Sequence, residues 1–417
     1  MDPPAAKTIS VPPEKAIADL RDDANRKKAA FMLSASLKDE QYRQEFIRLG
    51  GVATLRDVIM KGSGTNEQAY ALVAFEEIVG QKDGWDDLSI DFLTALVGFI
   101  SSANITVNRS ATAIVAKLVT SKKYGFSVIH DIVTKNGDTT YAEVIKHTGD
   151  SEHQQQLNSI VLINALYSAA TDHQQSAFFD RMEALHCRRA LFRLQQLARD
   201  PLEKGGDIER ELLKFQRLLY REYSRRSATP VDLRKADHRR LFDEILAAAE
   251  AKTAIELGCR TDNVQEEFKG AGLLGLEQLA HYARKDRDHF KKHLQQMQVG
   301  AGTCSLVFSA VEVTKAMVKH FSDLEHDVSA DKKDAKDSSK PHKSARLPVL
   351  FALEELFSLC MQSFLKMWTE MAREGDAVQC FFCLSDLLLT LRPRFFALFF
   401  AELGDCVARD AAGLCPP

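Results

Sequence analysis

Proline is missing where a loop-rich fold would need it. The 11 prolines stand at positions 3, 4, 12, 13, 201, 230, 341, 348, 393, 416 and 417, so 14–200 and 231–340 hold none. Proline lacks a donor and clashes with the preceding turn, so helix interiors exclude it, whereas β folds spend it in turns. Two long proline-free stretches, punctuated by Gly and Asn/Asp, predict an all-α chain with short connections. No alternating strand pattern speaks against this.

Other absences narrow the function. No run of about 18 apolar residues exists, so no membrane span is expected. The nearest stretch, Phe381 to Phe400, is broken by Asp386, Arg392, Pro393 and Arg394 and reads as a buried helix pair. Met1-Asp2-Pro3-Pro4 carries neither the charged nor the apolar region of a leader. The eight cysteines, none before Cys187, are too few for a disulfide scaffold. Reduced thiols and a cytoplasmic location are expected. Lys plus Arg is 55 against 58 Asp plus Glu, a net charge of −3, which argues against a globally basic nucleic-acid binder. The phosphate loop GxxxxGK[ST], the elbow GxSxG and the zinc motif HExxH are all lacking. No catalytic residue, metal or cofactor is therefore expected.

What is present is helical periodicity. Leu88, Phe92, Leu93, Leu96, Val97 and Ile100 follow steps of three and four, as do Val107, Ala111, Ile114, Val115, Leu118 and Val119. Residues 156–170 are apolar around most of the circumference, which predicts a helix buried between layers. Thr65-Asn66-Glu67-Gln68 and Ser151-Glu152-His153-Gln154 read as capping boxes. The pattern predicts helices at 14–32, 38–49, 51–60, 66–80, 87–101, 106–121, 125–134, 139–147, 152–170, 174–185 and 187–198. Others follow at 203–226, 232–253, 271–284, 286–298, 302–322, 346–373, 376–391 and 394–409.

Phe46 to Val52 joins two of these helices through Gly50-Gly51. Such a corner lets helices turn sharply and resembles an armadillo repeat, whose period is about 40–47 residues. A solenoid is expected on this basis, with an irregular helical domain as the alternative. Residues 323–345 are charged and small polar apart from Leu324 and Val328. They cannot bury enough surface to offset their ordering entropy, so a flexible insertion is expected within a domain.

Few constellations could carry chemistry. Cys380-Phe381-Phe382-Cys383 is a lone CxxC inside an apolar helix, which reads as buried structural thiols. His289 and His293 are four apart but lack a third ligand, and Lys291 and Lys292 between them suggest a solvated basic face. Residues 214–240 hold nine Lys/Arg, among them Arg225, Arg226, Arg239 and Arg240, against Glu222, Asp232 and Asp237. This excess is either a solvated helix face or an electrostatic surface for acidic partners or anionic lipid. Gly270-Ala271-Gly272-Leu273-Leu274-Gly275 follows no strand, so its glycines suit a tight helix entry rather than a dinucleotide.

The run from Glu266 through Lys269 and Gly270 to Leu279 resembles the signature of the ELMO domain, an acidic-Phe-Arg-Gly-x-Gly-Leu-Leu-Gly-Leu pattern opening a helix. Leu257-Gly258-Cys259, Val313-Thr314-Lys315 and Trp368-Thr369-Glu370-Met371 resemble flanking pieces of the same domain. The first half is similar to the armadillo-like region of the engulfment-and-cell-motility proteins. The matching pieces are Gln44 to Ile47 with Gly51, Ala74-Phe75 with Trp85-Asp86, and Val161 to Leu166.

The resemblance implies an armadillo-like helical domain over 14–200 and an ELMO domain over 203–412. It also implies a non-enzymatic adaptor. Its expected partners are a dedicator-of-cytokinesis-type exchange factor and a Rho- or Arf-family small GTPase. The implied processes are Rac signalling, actin remodelling, motility and phagocytosis. The basic helices around Pro230, apart from the resemblance, raise the expectation of a peripheral contact with an anionic membrane surface, with recruitment to the plasma membrane. The family's Ras-binding domain ahead of the solenoid has no counterpart in these 417 residues, nor has its pleckstrin-homology domain. On this resemblance the sequence is expected to be either a piece of a longer product or a variant made of the regulatory core.

The small ELMO-domain proteins accelerate GTP hydrolysis on Arf-like GTPases with an arginine in the signature, which makes activation of a GTPase the alternative. Lys269 stands at that arginine's position; it keeps the charge and loses the planar fork. A formin-like armadillo regulatory module is the third reading. Lys269, Glu266, Arg225, Arg226, Arg239 and Arg240 are the candidate partner contacts.

Overall fold

The computed structural model describes residues 11–62, 66–80, 88–135, 137–197, 206–297, 305–330 and 348–374. Among the described residues every regular element is helical. Cys380-Cys383, Trp85-Asp86 and the helices expected at 376–391 and 394–409 lie outside them. The chain divides into two compact units, Met1–Leu218 and Leu219–Pro417.

The first unit holds α1 (Pro13–Arg21), α2 (Arg26–Ser36), α3 (Glu40–Arg48), α4 (Gly51–Lys61), α5 (Asn66–Gly80) and α6 (Ile90–Phe99). Then come α7 (Ile105–Val119), α8 (Gly125–Lys135), α9 (Thr139–His147), α10 (His153–Ala169), α11 (Asp172–Ala184), α12 (Cys187–Leu197) and the start of α13 (Asp207–Ala228). Helices α2, α5, α7 and α10 pack each on the next and form a ladder, with the shorter helices against its other side. Helices α7 and α10 bury residues around most of their girth because each is covered by neighbours on two sides, whereas α2, at the end of the ladder, buries Ala30 and Leu33. In α7, Val107, Ala111, Ile114, Val115, Leu118 and Val119 are all buried. In α10, Ile160, Leu162, Ile163, Ala165 and Leu166 are buried too, as their pattern predicts.

Local chemistry sets the corners. Gly50 is left-handed at φ 78° between α3 and α4, a conformation that costs glycine little. At the next position a Cβ on Gly51 would sit within 2.6 Å of Phe46 ring carbons, so the second glycine is needed for close approach. The helix expected at 14–32 is two helices. The Arg26 guanidinium donates to Leu20 O at 3.0 Å and Arg21 O at 3.3 Å, closing α1 where its last carbonyls lack partners. At α10 the cap is Glu152 rather than Ser151, with the Gln155 N–H donating to its carboxylate at 2.6 Å. The Gln68 amide donates to Ile59 O and Gly62 O, closing the end of α4, and Thr65, the cap expected for α5, lies outside the described residues. Among the described residues a capping box stands at α11, between Thr171 and Gln174.

The second unit begins within α13 and continues through α14 (Ala236–Ala249), α15 (Val264–Glu267), α16 (Gly272–Lys285), α17 (Arg287–Met297), α18 (Leu306–Ala330) and α19 (Leu353–Glu374). Helix α16 is its hub and packs against α14, α17, α18 and α19. Leu274, Leu276, Leu279, Ala280, Tyr282 and Ala283 are buried, and the buried Gln278 accepts from the Thr314 hydroxyl at 2.7 Å. Helix α18 runs on to Ala330, so 323–330 is helical where an insertion was expected, and 331–345 lies outside the described residues. No helix among the described residues is long and apolar enough to cross a membrane.

Candidate functional site

The glycine-rich signature forms a turn held from beneath by apolar side chains. Leu257, Cys259, Val264, Phe268 and Ala271 are buried, anchoring the chain from Leu257 to the start of α16. Burial pushes the Cys259 thiol up to about 12, so it stays protonated and inert. Glu267 uses its carboxylate locally: it accepts from the Arg260 N–H at 2.8 Å and the Thr261 N–H at 3.0 Å. Gly272 lies at φ 56° against the end of α13. A Cβ there would fall 2.6 Å from Thr229 O and 2.8 Å from Arg226 O. The neighbouring Leu273 N–H donates to Thr229 O at 2.8 Å, so the glycine allows a direct backbone clasp. Gly270, at φ 90°, lies under the aliphatic stem of Lys315.

Two head groups of the signature remain outside. Lys269 Nζ lies 3.7 Å from Glu266 Oε2, with side chains 80% and 60% exposed. Close by in this unit, Lys315 pairs with Glu312 at 2.8 Å and the Arg260 guanidinium stands 5.7 Å from the Phe308 ring centroid. The spacing of the signature reveals Lys269 and Glu266. It gives no sign of Arg260, Lys315 or Phe308, whose proximity depends on α18 packing beside α16.

The basic stretch splits by direction. Arg226 is buried; its Nε donates to Glu222 Oε1 at 2.7 Å and the same guanidinium pairs with Glu277 of α16. It clamps α13 to α16 and is not on the surface. Arg225 is half-exposed and donates to Glu222 at 3.1 Å. Arg239 and Arg240 are exposed on the first turns of α14 and make no ion pair among the described residues. The structure thus brings Lys269 and Glu266 together, places Arg239 and Arg240 in solvent, and turns Arg226 inward.

The histidine pair also divides. His289 is exposed and bonded to Asp286 at 2.7 Å, whereas His293 is fully buried with neither ring nitrogen hydrogen-bonded among the described residues. The solvated face holds for His289, Lys291 and Lys292, whereas Phe290 and His293 form the inner stripe of α17. Among the described residues no group of three or more His, Cys, Asp or Glu could hold a metal.

Two family models match the chain: one described as the ELMO/CED-12 family over residues 221–379, one as the ELMO armadillo-like helical domain over 41–195. Human engulfment and cell motility protein 2 is 22% identical over 376 residues, covering 81% of this chain and 49% of that protein. Human engulfment and cell motility protein 1 is 20% identical over 392 residues, covering 82% and 51%. Formin-C of Dictyostelium discoideum is 26% identical over 156 residues, 36% of this chain and 13% of its own. The chain spans about half the length of the engulfment and cell motility proteins it matches.

Proposed function

The chain belongs to the ELMO/CED-12 family, and on that premise we propose that it is a non-enzymatic adaptor. It binds a dedicator-of-cytokinesis-type exchange factor and a Rho- or Arf-family small GTPase and promotes Rac signalling in engulfment and cell motility. The observation that supports this is the use of the signature's polar groups. Glu267 and the glycines hold the turn, and only the Lys269 and Glu266 head groups are presented outward. A rigid turn with an exposed charge pair suits recognition of another protein's surface. It offers no nucleophile and no group poised to exchange a proton.

Lys269 separates this reading from GTPase activation. Stabilising charge on a transferring phosphoryl group calls for the planar fork of arginine, and an ammonium is a point charge. The test combines binding and turnover with the whole chain. Purified exchange factor and GTPases are expected to be retained, and single-turnover hydrolysis on Arf-like GTPases is expected to stay at the intrinsic rate. Retention of neither protein class overturns the adaptor reading. A rate increase abolished in Lys269→Ala establishes the enzyme instead.

A further inference from the structure

We propose that Arg260, in the loop leading into the signature, is the fork that receives a carboxylate side chain of the protein partner. This rests on the adaptor reading and names a contact that Lys269 cannot make. Exposure without a counter-charge is common in this unit, as at Lys252 and Lys319, so it singles out no residue. What sets Arg260 apart is its seat. Its backbone is fixed on both sides. The Cys259 N–H donates to Ala254 O at 3.1 Å, and the N–H groups of Arg260 and Thr261 donate to Glu267 Oε1 at 2.8 Å and 3.0 Å. The guanidinium lies over the Phe308 ring of α18, 5.7 Å from its centroid, inside the roughly 6 Å over which a ring attracts a cation. The residue nevertheless stays exposed.

A guanidinium held at its root and against a ring has less freedom to lose on binding. Its planar donors meet a carboxylate with two parallel bonds, where an ammonium offers a point charge. Lys269, beside Glu266 at 3.7 Å, supplies charge to the same region without the fork. The surroundings choose the partner's chemistry. With Glu267 spent on the backbone, exposed Glu256, Asp262 and Glu266 balance Lys252, Arg260 and Lys269. A balanced surface has no field for a polyanion such as a bilayer or a nucleic acid. Ile255, 56% exposed, lies on the turn closed by the Cys259–Ala254 bond, directly before Arg260. A seated arginine next to an exposed apolar side chain is the make-up of a protein-binding hot spot. One carboxylate flanked by an apolar contact fits it.

The test titrates the whole chain with the purified partner it retains, exchange factor or GTPase, and reads the dissociation constant. Arg260→Lys keeps the charge and removes the fork. It should weaken binding about tenfold or more at an unchanged urea midpoint. Arg260→Ala should lose at least as much. Phe308→Leu removes the ring and keeps the guanidinium, which should weaken binding about two- to fivefold. Lys285→Gln, at the far end of α16, should bind as the native chain does. Equal affinity of the native and Arg260→Lys chains overturns the proposal and leaves the adaptor reading standing, whereas a native chain that retains neither partner class overturns both. The proposal also fails if Arg260→Lys lowers the urea midpoint along with the affinity, if Phe308→Leu binds unchanged, or if Lys285→Gln loses as much. An acceleration of GTP hydrolysis that disappears in Arg260→Ala would assign the fork to phosphate and overturn it as well.

Discussion

Gly272 shows how much one residue decides at the signature. Its φ of 56° and the carbonyl oxygens of Thr229 and Arg226 around its Cα leave no room for a side chain. Backbone oxygens cannot swing aside as a flexible side chain can. Gly272→Ala should therefore cost more than the ordinary left-handed penalty, about 3 kcal/mol of unfolding free energy. Gly98, with nothing near its would-be Cβ, is the control, where Ala should be neutral or stabilising by up to about 1 kcal/mol. Urea denaturation of both variants measures this, and equal midpoints would contradict it. The glycine pattern was legible in the sequence as a tight helix entry. The carbonyls that make it obligatory were not, since they come from the end of another helix.

At the scale of the element, α13 and α16 are joined by the ion-paired cluster of Arg226, Glu222 and Glu277. Glu222 and Arg226 are both buried. Removing one partner of such a pair leaves a charge in a low-dielectric site, which usually costs about 3–5 kcal/mol. Arg225 still holds Glu222, so Arg226→Leu should fall at the low end, about 3 kcal/mol. Adding Glu222→Leu should recover part of the loss, because the stranded carboxylate goes with it. A double variant less stable than Arg226→Leu alone, by thermal or urea unfolding, would refute the cluster's account. This direction was hidden in the sequence. Arg225 and Arg226 are adjacent and chemically identical, and the helical period does not say which one faces α16.

For the whole molecule, buried histidines tie stability to pH. His130 and His147 in the first unit and His238 and His293 in the second are all held below the ordinary value, in each case chiefly by burial. For His293 the value falls to about 4. The unfolded chain takes up a proton near 6.5 while the folded chain refuses it, so acid favours unfolding. Stability is full above about pH 6.5 and falls as the pH drops toward 4, where His293 itself protonates. That group alone accounts for a loss on the order of 3 kcal/mol across the window. His293→Leu should flatten the decline between about pH 7 and pH 5 measured by denaturant titration. An unchanged slope would show that His293 is not the proton-refusing group.

The sequence by itself determined the helical class, most element positions and the exposed charge pair of the signature. Proline exclusion, apolar period and glycine placement are local and survive any rearrangement of neighbours. Only the tertiary structure decided which side of a helix faced inward. It split the first expected helix through the Arg26 guanidinium, buried His293 while leaving His289 in water, and spent Arg226 on Glu277. Those outcomes depend on partners contributed from distant parts of the chain. A period of 3.6 residues marks a stripe without naming what covers it.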